Sequence, residues 1–514
     1  MSVHNVARFA DLREDRGMQV EIGEQKIVLL RIGEQVRAYQ GECPHAGAPL
    51  ADGAICNGRL ICPWHKAMFD VDDGSLCEPP ALNHLTRFPA QVVNGQVHVD
   101  DQPLAEQKPA SQPHDPRCFV IVGAGAAGTA AACALREKGF SGRVVMIDRE
   151  IEPGYDRTVL SKFVIAGDMS PDETPALREP DFYREQHIER VQGEVIELNP
   201  GEQRVTLGDG RDFHYDAALL ATGGEPHQLS LPGAHLPQVV LLRSREHAQR
   251  LLDAAPANGR AVIIGASFIG LEAASALRKR GMEVTVLARH EVPFESQFGT
   301  RIGQAIRALH EQNGVLFRTH VDAVAFEGDG HLQAVVLNTA ERLPADLVLA
   351  GTGVSPMTAY VQGVPRADNG SLRVDAGMQL AEHLWAAGDI TTFPLAGNDV
   401  HIEHWRLAQQ HARVAAQNML GAGLGYADVP FFWTYHFDMN FDYLGYAEQW
   451  DDITYIGAPE QYTFIALLSQ GNNVAAVVAC QYERAVALLA ERMKQPLTVE
   501  EARALIETAS AETA

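Results

Sequence analysis

Apolar and polar positions divide this chain into stretches of different period. Over residues 1 to 100 the signals are those of short strands: the apolar run Ile27-Val28-Leu29-Leu30, and the stretch 91 to 99, where an Asn94-Gly95 turn separates two short strands as a hairpin. Residues 101 to 117 lack an apolar period and are rich in proline and polar groups, which predicts a linker. Fully extended, it spans on the order of 50 Å and holds the first unit close to the rest while leaving it free to move. The pattern then changes to strand, glycine turn, helix, strand, beginning at Cys118 and again at Ala261. From about residue 428 an aromatic-rich segment (Phe431, Phe432, Trp433, Tyr435, Phe437, Phe441, Tyr443) leads into a helical stretch rich in Ala and Glu. The expected architecture is multidomain: an all-β unit, two α/β nucleotide-binding units and a C-terminal α/β domain.

Composition narrows the function classes. At 514 residues and 46% hydrophobic, the chain has material for three or four cores. No run of eighteen apolar residues and no basic-then-apolar leader occur, so the expected location is the cytoplasm, with no membrane partner. A formal charge of -24 argues against nucleic acid, and any protein acceptor is expected to present a basic face. A homodimer stays open. The seven cysteines are odd in number and scattered, as expected of buried thiols in a reducing compartment.

The candidate chemistry starts at Cys43-Pro44-His45, followed after sixteen residues by Cys62-Pro63-Trp64-His65. Two thiolates and two imidazoles from two short loops form the ligand set of a Rieske [2Fe-2S] centre, a one-electron carrier. Cys₂His₂ also suits zinc, but zinc fingers place both cysteines first and both histidines later on a helix, whereas each loop here carries one of each. The wording of residues 43 to 50 and 62 to 70 resembles the cluster loops of Rieske ferredoxins.

Cys118-Phe-Val-Ile-Val122 runs into Gly123, Gly125 and Gly128 in G-x-G-x-x-G spacing, then a helix and the strand Arg143 to Asp148. Glycines allow the tight turn and the approach of a pyrophosphate to a helix N-terminus, and Asp148 is placed to accept from a ribose. The second copy reads Gly265, Ser267, Gly270, with serine at the middle glycine position, where a small side chain crowds the phosphate. Two units point to two dinucleotides, a flavin and a nicotinamide.

From residue 118 onward the chain resembles the pyridine-nucleotide-dependent flavoprotein reductases that serve ferredoxins, and with its first unit it resembles apoptosis-inducing-factor-like flavoproteins. The matching stretches include Tyr155 to Lys162, Ala221-Thr222-Gly223-Gly224, Phe268 to Glu272, Gly351-Thr-Gly353, Ala387-Gly388-Asp389, Glu403-His404-Trp405 and Pro430 to Trp433. The resemblance implies a Rieske domain (1–100), a linker (101–117), an FAD-binding domain in two segments (118–228 and 353–427), an NAD(P)-binding domain (229–352) and a C-terminal reductase domain (428–514). It implies FAD contacts at Thr222, Gly223, Gly388, Asp389, Arg157 and Trp405, and nicotinamide-side contacts that include Gly353. It also implies that Lys162 sits near the flavin ring paired with Glu272, where a cation favours the anionic reduced flavin and the carboxylate steadies that cation. From the residues alone, Lys162 and Glu272 also read as solvated charges and Trp405 as a core aromatic.

At the end of the second unit's strand, Ala288 stands where Asp148 stands in the first, followed by Arg289 and His290. Without an acid to repel a 2′-phosphate, NADPH is favoured over NADH, unless Arg289 and His290 face solvent or Glu291 takes the ribose. No C-x₄-C or C-x₂-C occurs between residues 128 and 260, so disulfide exchange is not the expected chemistry. Lys66-Ala67-Met68 follow His65 where high-potential Rieske centres resemble each other in carrying a serine, which predicts a potential of roughly -150 mV. Lys66 also replaces the glycine usual in Rieske ferredoxins. The expected function is an NAD(P)H-dependent reductase passing electrons from FAD to its own cluster and on to an acceptor such as an oxygenase. The alternatives are reduction of a small acceptor, such as a quinone or oxygen, with a regulatory cluster, and a redox-responsive signalling protein.

Overall fold

The computed structural model describes residues 2–105 and 114–511. Residues 106–113, the middle of the expected linker, lie outside the described residues. The N-terminal unit is antiparallel throughout. One sheet joins Val3–Arg8, Gln96–Asp100 and Ala90–Val93; a second runs Met18–Ile22, Gln25–Ile32, Gln35–Gln40, Arg87–Phe88; a third runs Ala54–Cys56, Arg59–Ile61, Met68–Asp70, Leu76–Glu78. Ile27 to Leu30 are fully buried, and the predicted hairpin turns at Asn94 (φ 51) and Gly95 (φ 74), the two positive angles that a two-residue turn of this twist requires.

Two parallel sheets follow. The first is six-stranded, in the order Ile188–Gln192, Arg143–Asp148, Cys118–Val122, Ala217–Leu220, Leu384–Ala386, Gln379–Ala381, with only the last strand antiparallel. Its inner strands read as continuous apolar runs because both faces are covered. Six of the ten buried residues of helix Ala126–Glu137 are alanine, which lets it pack closely on the strands and on the alanines of helix Trp405–Met419. The second sheet, Val239–Val240, Leu347–Ala350, Arg260–Ile264, Glu283–Ala288, Val315–Thr319, is parallel in every pair. The chain thus leaves the first sheet, builds the second and returns through Leu384–Ala386.

The C-terminal sheet is antiparallel, in the order Phe431–His436, Met439–Gly445, Asn473–Cys480, Thr463–Gln470, Asp452–Ala458, and is backed by helices Glu483–Arg492 and Val499–Ala511. Of its aromatic cluster, Phe431, Phe441 and Tyr443 are core residues, while Phe432 and Trp433 face the cleft described below. Among the described residues no helix is long and apolar enough to cross a membrane.

Candidate functional site

Each cysteine-histidine loop is a turn closed by its own cysteine: Cys43 donates its N–H to the Ala48 carbonyl and Cys62 to the Ala67 carbonyl, both at 2.8 Å. The turns carry His45 and His65 to one point, where their Nδ1 atoms stand 3.0 Å apart. That separation lets both nitrogens ligate one metal ion about 2 Å away. The Cys43 and Cys62 thiols are buried and hydrogen-bonded to each other. Among the described residues no three His, Cys, Asp or Glu side chains gather round one point. The donors form a thiol pair and an imidazole pair, the arrangement that two irons need and a single zinc does not.

Beside the loops lies a long cleft lined by Gly123, Gly125, Asp148, Arg157, Lys162, Thr222, Gly223, Glu272, Gly388, Asp389 and Trp405. Gly123 has φ 106, and a Cβ there would meet the Ala221 carbonyl oxygen at 2.3 Å; a Cβ on Gly128 would meet that of Gly123 at 1.8 Å. Gly125 differs, since a Cβ there would meet no protein atom within 4 Å. The room it leaves faces the cleft, as a close-approaching pyrophosphate requires. Asp148 accepts from the backbone N–H groups of Ala124 and Glu150, which fixes the turn. Arg157 donates to Glu150, to Tyr155 Oη and to the Arg243 carbonyl, while Arg243 pairs with Asp389 at 2.9 Å. Thr222 Oγ1 donates to the Met357 carbonyl at 2.7 Å. The indole Nε1 of Trp405 is buried in the cleft wall without a protein partner, a donor aimed at something other than protein.

Lys162 and Glu272 are not solvated charges. Both are buried, with Nζ 2.9 Å from Oε2. Lys162 lies in a π-helical turn, Leu160–Val164, a distortion frequent at functional sites. Glu272, on helix Phe268–Lys279 of the second unit, also accepts from Ser161 Oγ, and from Thr434 Oγ1 at 2.8 Å and Tyr435 N at 3.2 Å on the C-terminal sheet. One carboxylate thus joins three parts of the chain.

Gly265, Ser267, Gly270, Gly353, Arg289 and His290 do not line the cleft. Ser267 caps helix Phe268–Lys279, its hydroxyl accepting from Gly270 N at 3.2 Å. Gly353, at φ 97, turns the chain between strands Leu347–Ala350 and Val354–Pro356. Arg289 and His290 are exposed, and Arg289 pairs with Asp322 at 2.9 Å. Glu291 pairs with Arg307 and His320.

The histidine pair is turned toward this cleft. Trp433, in the cleft wall, lies over His65 with ring centroids 4.0 Å apart, and His45 Nε2 is 3.8 Å from Asp156, the residue before Arg157. Burial lowers the pKa of both imidazoles. Instead of the freely moving unit expected from the linker, the N-terminal unit is seated by buried polar bonds. Arg406, 1% exposed, donates to the carbonyls of Pro79 at 2.8 Å, Lys66 at 3.0 Å and Val429 at 3.2 Å, and to Glu78. Lys494 and Gln410 also donate to Glu78. Burial alone would raise the Glu78 pKa, but Arg406 and Lys494 outweigh it and hold the carboxyl below its usual range. Lys66, 0% exposed, pairs with Asp442 at 2.8 Å. Trp433 belongs to the aromatic segment and the Pro430 to Trp433 match without a role given to it there, and Arg406, Glu78 and Arg243 were not singled out by sequence.

Comparison with known proteins agrees with this geometry. Residues 118–412 match the family model of pyridine nucleotide-disulphide oxidoreductases, and residues 2–89 that of the Rieske [2Fe-2S] domain. The chain belongs to the pyridine nucleotide-disulphide oxidoreductase family. It is 34% identical to human apoptosis-inducing factor 3 over 507 residues, 95% of this chain and 83% of that protein. It is 35% identical over 317 residues to the ferredoxin–NAD(+) reductase subunit of the Pseudomonas putida benzene 1,2-dioxygenase system, 61% of this chain and 77% of the subunit. The crystal structure of a covalent putidaredoxin reductase–putidaredoxin complex superposes with a TM-score of 0.71 at 29% identity, covering 77% of this chain and 99% of that one. The protein is therefore a ferredoxin-reductase-like, NAD(P)H-dependent oxidoreductase with a Rieske domain, and its cofactors are FAD and a [2Fe-2S] cluster. The room at Gly125 and the orphan donor of Trp405 fit the flavin, and the two donor pairs fit the cluster. The thiol chemistry in the family's name has no cysteine here, since among the described residues none lines the cleft, and Cys133 is buried with its pKa pushed up to about 12.

Proposed function

We propose that this oxidoreductase takes hydride from NAD(P)H and delivers the electrons singly, from FAD to its own Rieske centre and on to a one-electron acceptor. FAD, when bound, receives electrons as a pair and gives them up one at a time, the form in which a [2Fe-2S] cluster carries them. The observation that carries this reading is Trp433, which shares the cleft wall with Trp405 and covers His65 at 4.0 Å. Lys162 holds a positive charge in a water-poor site beside the flavin position, and Glu272 fixes it by an ion pair whose other bonds come from the C-terminal sheet. Arg406 and Glu78 hold the cluster loop against Trp433. The putidaredoxin complex shows a reductase of this fold meeting a separate ferredoxin; here a Rieske domain is part of the same chain.

The test is anaerobic reduction of the full-length holoenzyme by NADPH, following flavin absorbance and the EPR signal of the reduced cluster. Trp433→Ala is expected to leave flavin reduction in place and slow the appearance of the cluster signal about tenfold or more. A Cys62→Ser variant that reduces every one-electron acceptor as well as the wild type does would overturn the relay. For the nicotinamide, Ala288 leaves the strand end without an acid, which favours NADPH, whereas Arg289 and His290 beside it face solvent and Arg289 has to leave Asp322 to meet a 2′-phosphate. Arg289→Ala is expected to lower kcat/KM for NADPH several-fold and leave NADH nearly unchanged; equal or better use of NADH by the wild type would remove that preference.

A further inference from the structure

Both oxygens of Glu272 are occupied: Lys162 and Ser161 donate to Oε2, and Thr434 Oγ1 and Tyr435 N donate to Oε1. Behind Thr434 the bonds continue. His436 Nε2 stands 3.0 Å from Thr434 Oγ1, and His436 Nδ1 stands 3.3 Å from His310 Nε2. Thr434, His436 and His310 are fully buried. The chain of bonds thus runs from strand Phe431–His436 of the C-terminal sheet to helix Thr300–Gln312 of the second unit. It ends at His310, whose ring meets Phe317 and Phe437 edge-to-face and whose Nδ1 has no partner among the described residues.

The chain has a direction. The Thr434 hydroxyl has one proton, and a carboxylate takes it in preference to a neutral imidazole, because a bond to a charged acceptor is the stronger. His436 Nε2 then carries a proton and donates to Thr434 Oγ1, which leaves Nδ1 bare to accept from His310 Nε2. Burial and the Lys162 charge push the pKa of His436 down to about 3, against the pull of the Leu271 carbonyl, and burial with the neighbouring His436 lowers that of His310. Two neutral imidazoles supply oriented N–H groups without adding a cation that competes with Lys162 for the carboxylate. In the other tautomer of His436, Thr434 turns its proton away and Oε1 loses a donor.

We propose that His436, held in one tautomer by His310, is a positioning residue for hydride uptake: acting through Thr434, it fixes Glu272 and so keeps the Lys162 ammonium in place. The inference rests on the reading of Lys162 given above and names what steadies it from behind. Lys162 Nζ also donates to the Thr158 carbonyl at 2.9 Å, a bond within its own turn, so Glu272 carries what the other two parts of the chain impose on it.

The test uses the full-length holoenzyme, with anaerobic stopped-flow reduction of the flavin by NADPH and the flavin midpoint potential measured against reference dyes. Thr434→Val, which keeps the shape and removes the hydroxyl, and His436→Leu are each expected to lower the limiting reduction rate about tenfold, leave the NADPH Kd within about twofold and move the potential negative. His310→Leu is expected to lose less, about threefold, because His436 then divides between its tautomers. The double variant Thr434→Val with His436→Leu should be no slower than the slower single one, since the two act in series. His436→Gln keeps an N–H for Thr434 and should recover most of the rate and the potential. Multiplied losses in the double variant, or a wild-type rate and potential in His436→Leu, overturn the chain. A His436→Gln protein as slow as His436→Leu overturns it as well, because the imidazole then only fills space. Where His436→Leu does not fold, wild-type behaviour of Thr434→Val and His310→Leu has the same force. Lys162→Gln with rate and potential unchanged overturns instead the reading of Lys162 on which the proposal stands, through a residue that every other variant leaves intact.

Discussion

The two cluster loops close with the same backbone hydrogen bond, and among the positions where they differ one, Gly47 against Lys66, separates their roles. Both turns close from the cysteine N–H to the carbonyl five residues on, and both need a left-handed residue just before that carbonyl: Gly47 at φ 77 and Lys66 at φ 60. Glycine adopts this conformation without steric cost, and Gly47 is exposed, with open space for 4 Å around the point where a Cβ would stand. Lysine is strained there by roughly 1–2 kcal/mol. Its side chain nevertheless turns inward, donating to the carbonyls of Pro63 and Trp64 and to Asp442 on the C-terminal sheet. The first loop is thus a turn and the second a turn with an anchor. The comparison shows how a strained position can persist when the side chain gains a buried partner from another domain.

The contrast can be broken most severely at the anchor's far end. Asp442→Ala leaves the Lys66 ammonium buried without its carboxylate and is expected to cost ~3–5 kcal/mol in denaturant unfolding. Restoring wild-type stability by the double change Lys66→Gly with Asp442→Leu would confirm that the penalty belongs to the pair. Smaller effects should follow from exchanging the turn residues. Gly47→Ala should cost about 1 kcal/mol by strain alone and leave the seat intact; a larger loss, or slower filling of the cluster, would show that the first loop also anchors.

The mildest probe is pH, and it concerns the second set of ties, around Glu78. Burial, with the neighbouring Glu78, raises the pKa of Asp428 from 3.8 to about 7. A raised folded value means that its contribution is complete below 3.8 and lost as the pH rises through about 7. Glu78, whose pKa is lowered, works in the opposite sense and loses its contribution only in acid. Asp428→Asn should therefore gain on the wild type at pH 8 and lose that advantage at pH 4, read as the difference in unfolding midpoints. Parallel curves for the two proteins would exclude Asp428 as the titrating group.

What could be read beforehand was local. Ligand spacing in the cluster loops, glycine spacing in the nucleotide turns and the Asn94-Gly95 hairpin are written in neighbouring residues, and each appears in the fold. The contacts that turn these parts into one machine are remote in sequence: His65 with Trp433, Glu78 with Arg406, Lys66 with Asp442. No period or spacing encodes them. Ser267 shows a subtler gap, because a serine in a glycine position reads as crowding until the helix cap that it forms is seen. Lys66 reads as a departure from a glycine pattern, and only the buried Asp442 explains why it is accommodated.

Helix Trp405–Met419 begins with a side chain in the flavin cleft, and its next residue grips the cluster loop. Adjacent residues of the chain therefore face two different parts of the molecule, the cleft and the second cysteine-histidine loop. A Rieske module transplanted from elsewhere would have to bring, besides its four ligands, an acid at position 78 and a loop carbonyl at position 66 that this helix can recognise. The two halves of the chain thus meet at a single turn of helix.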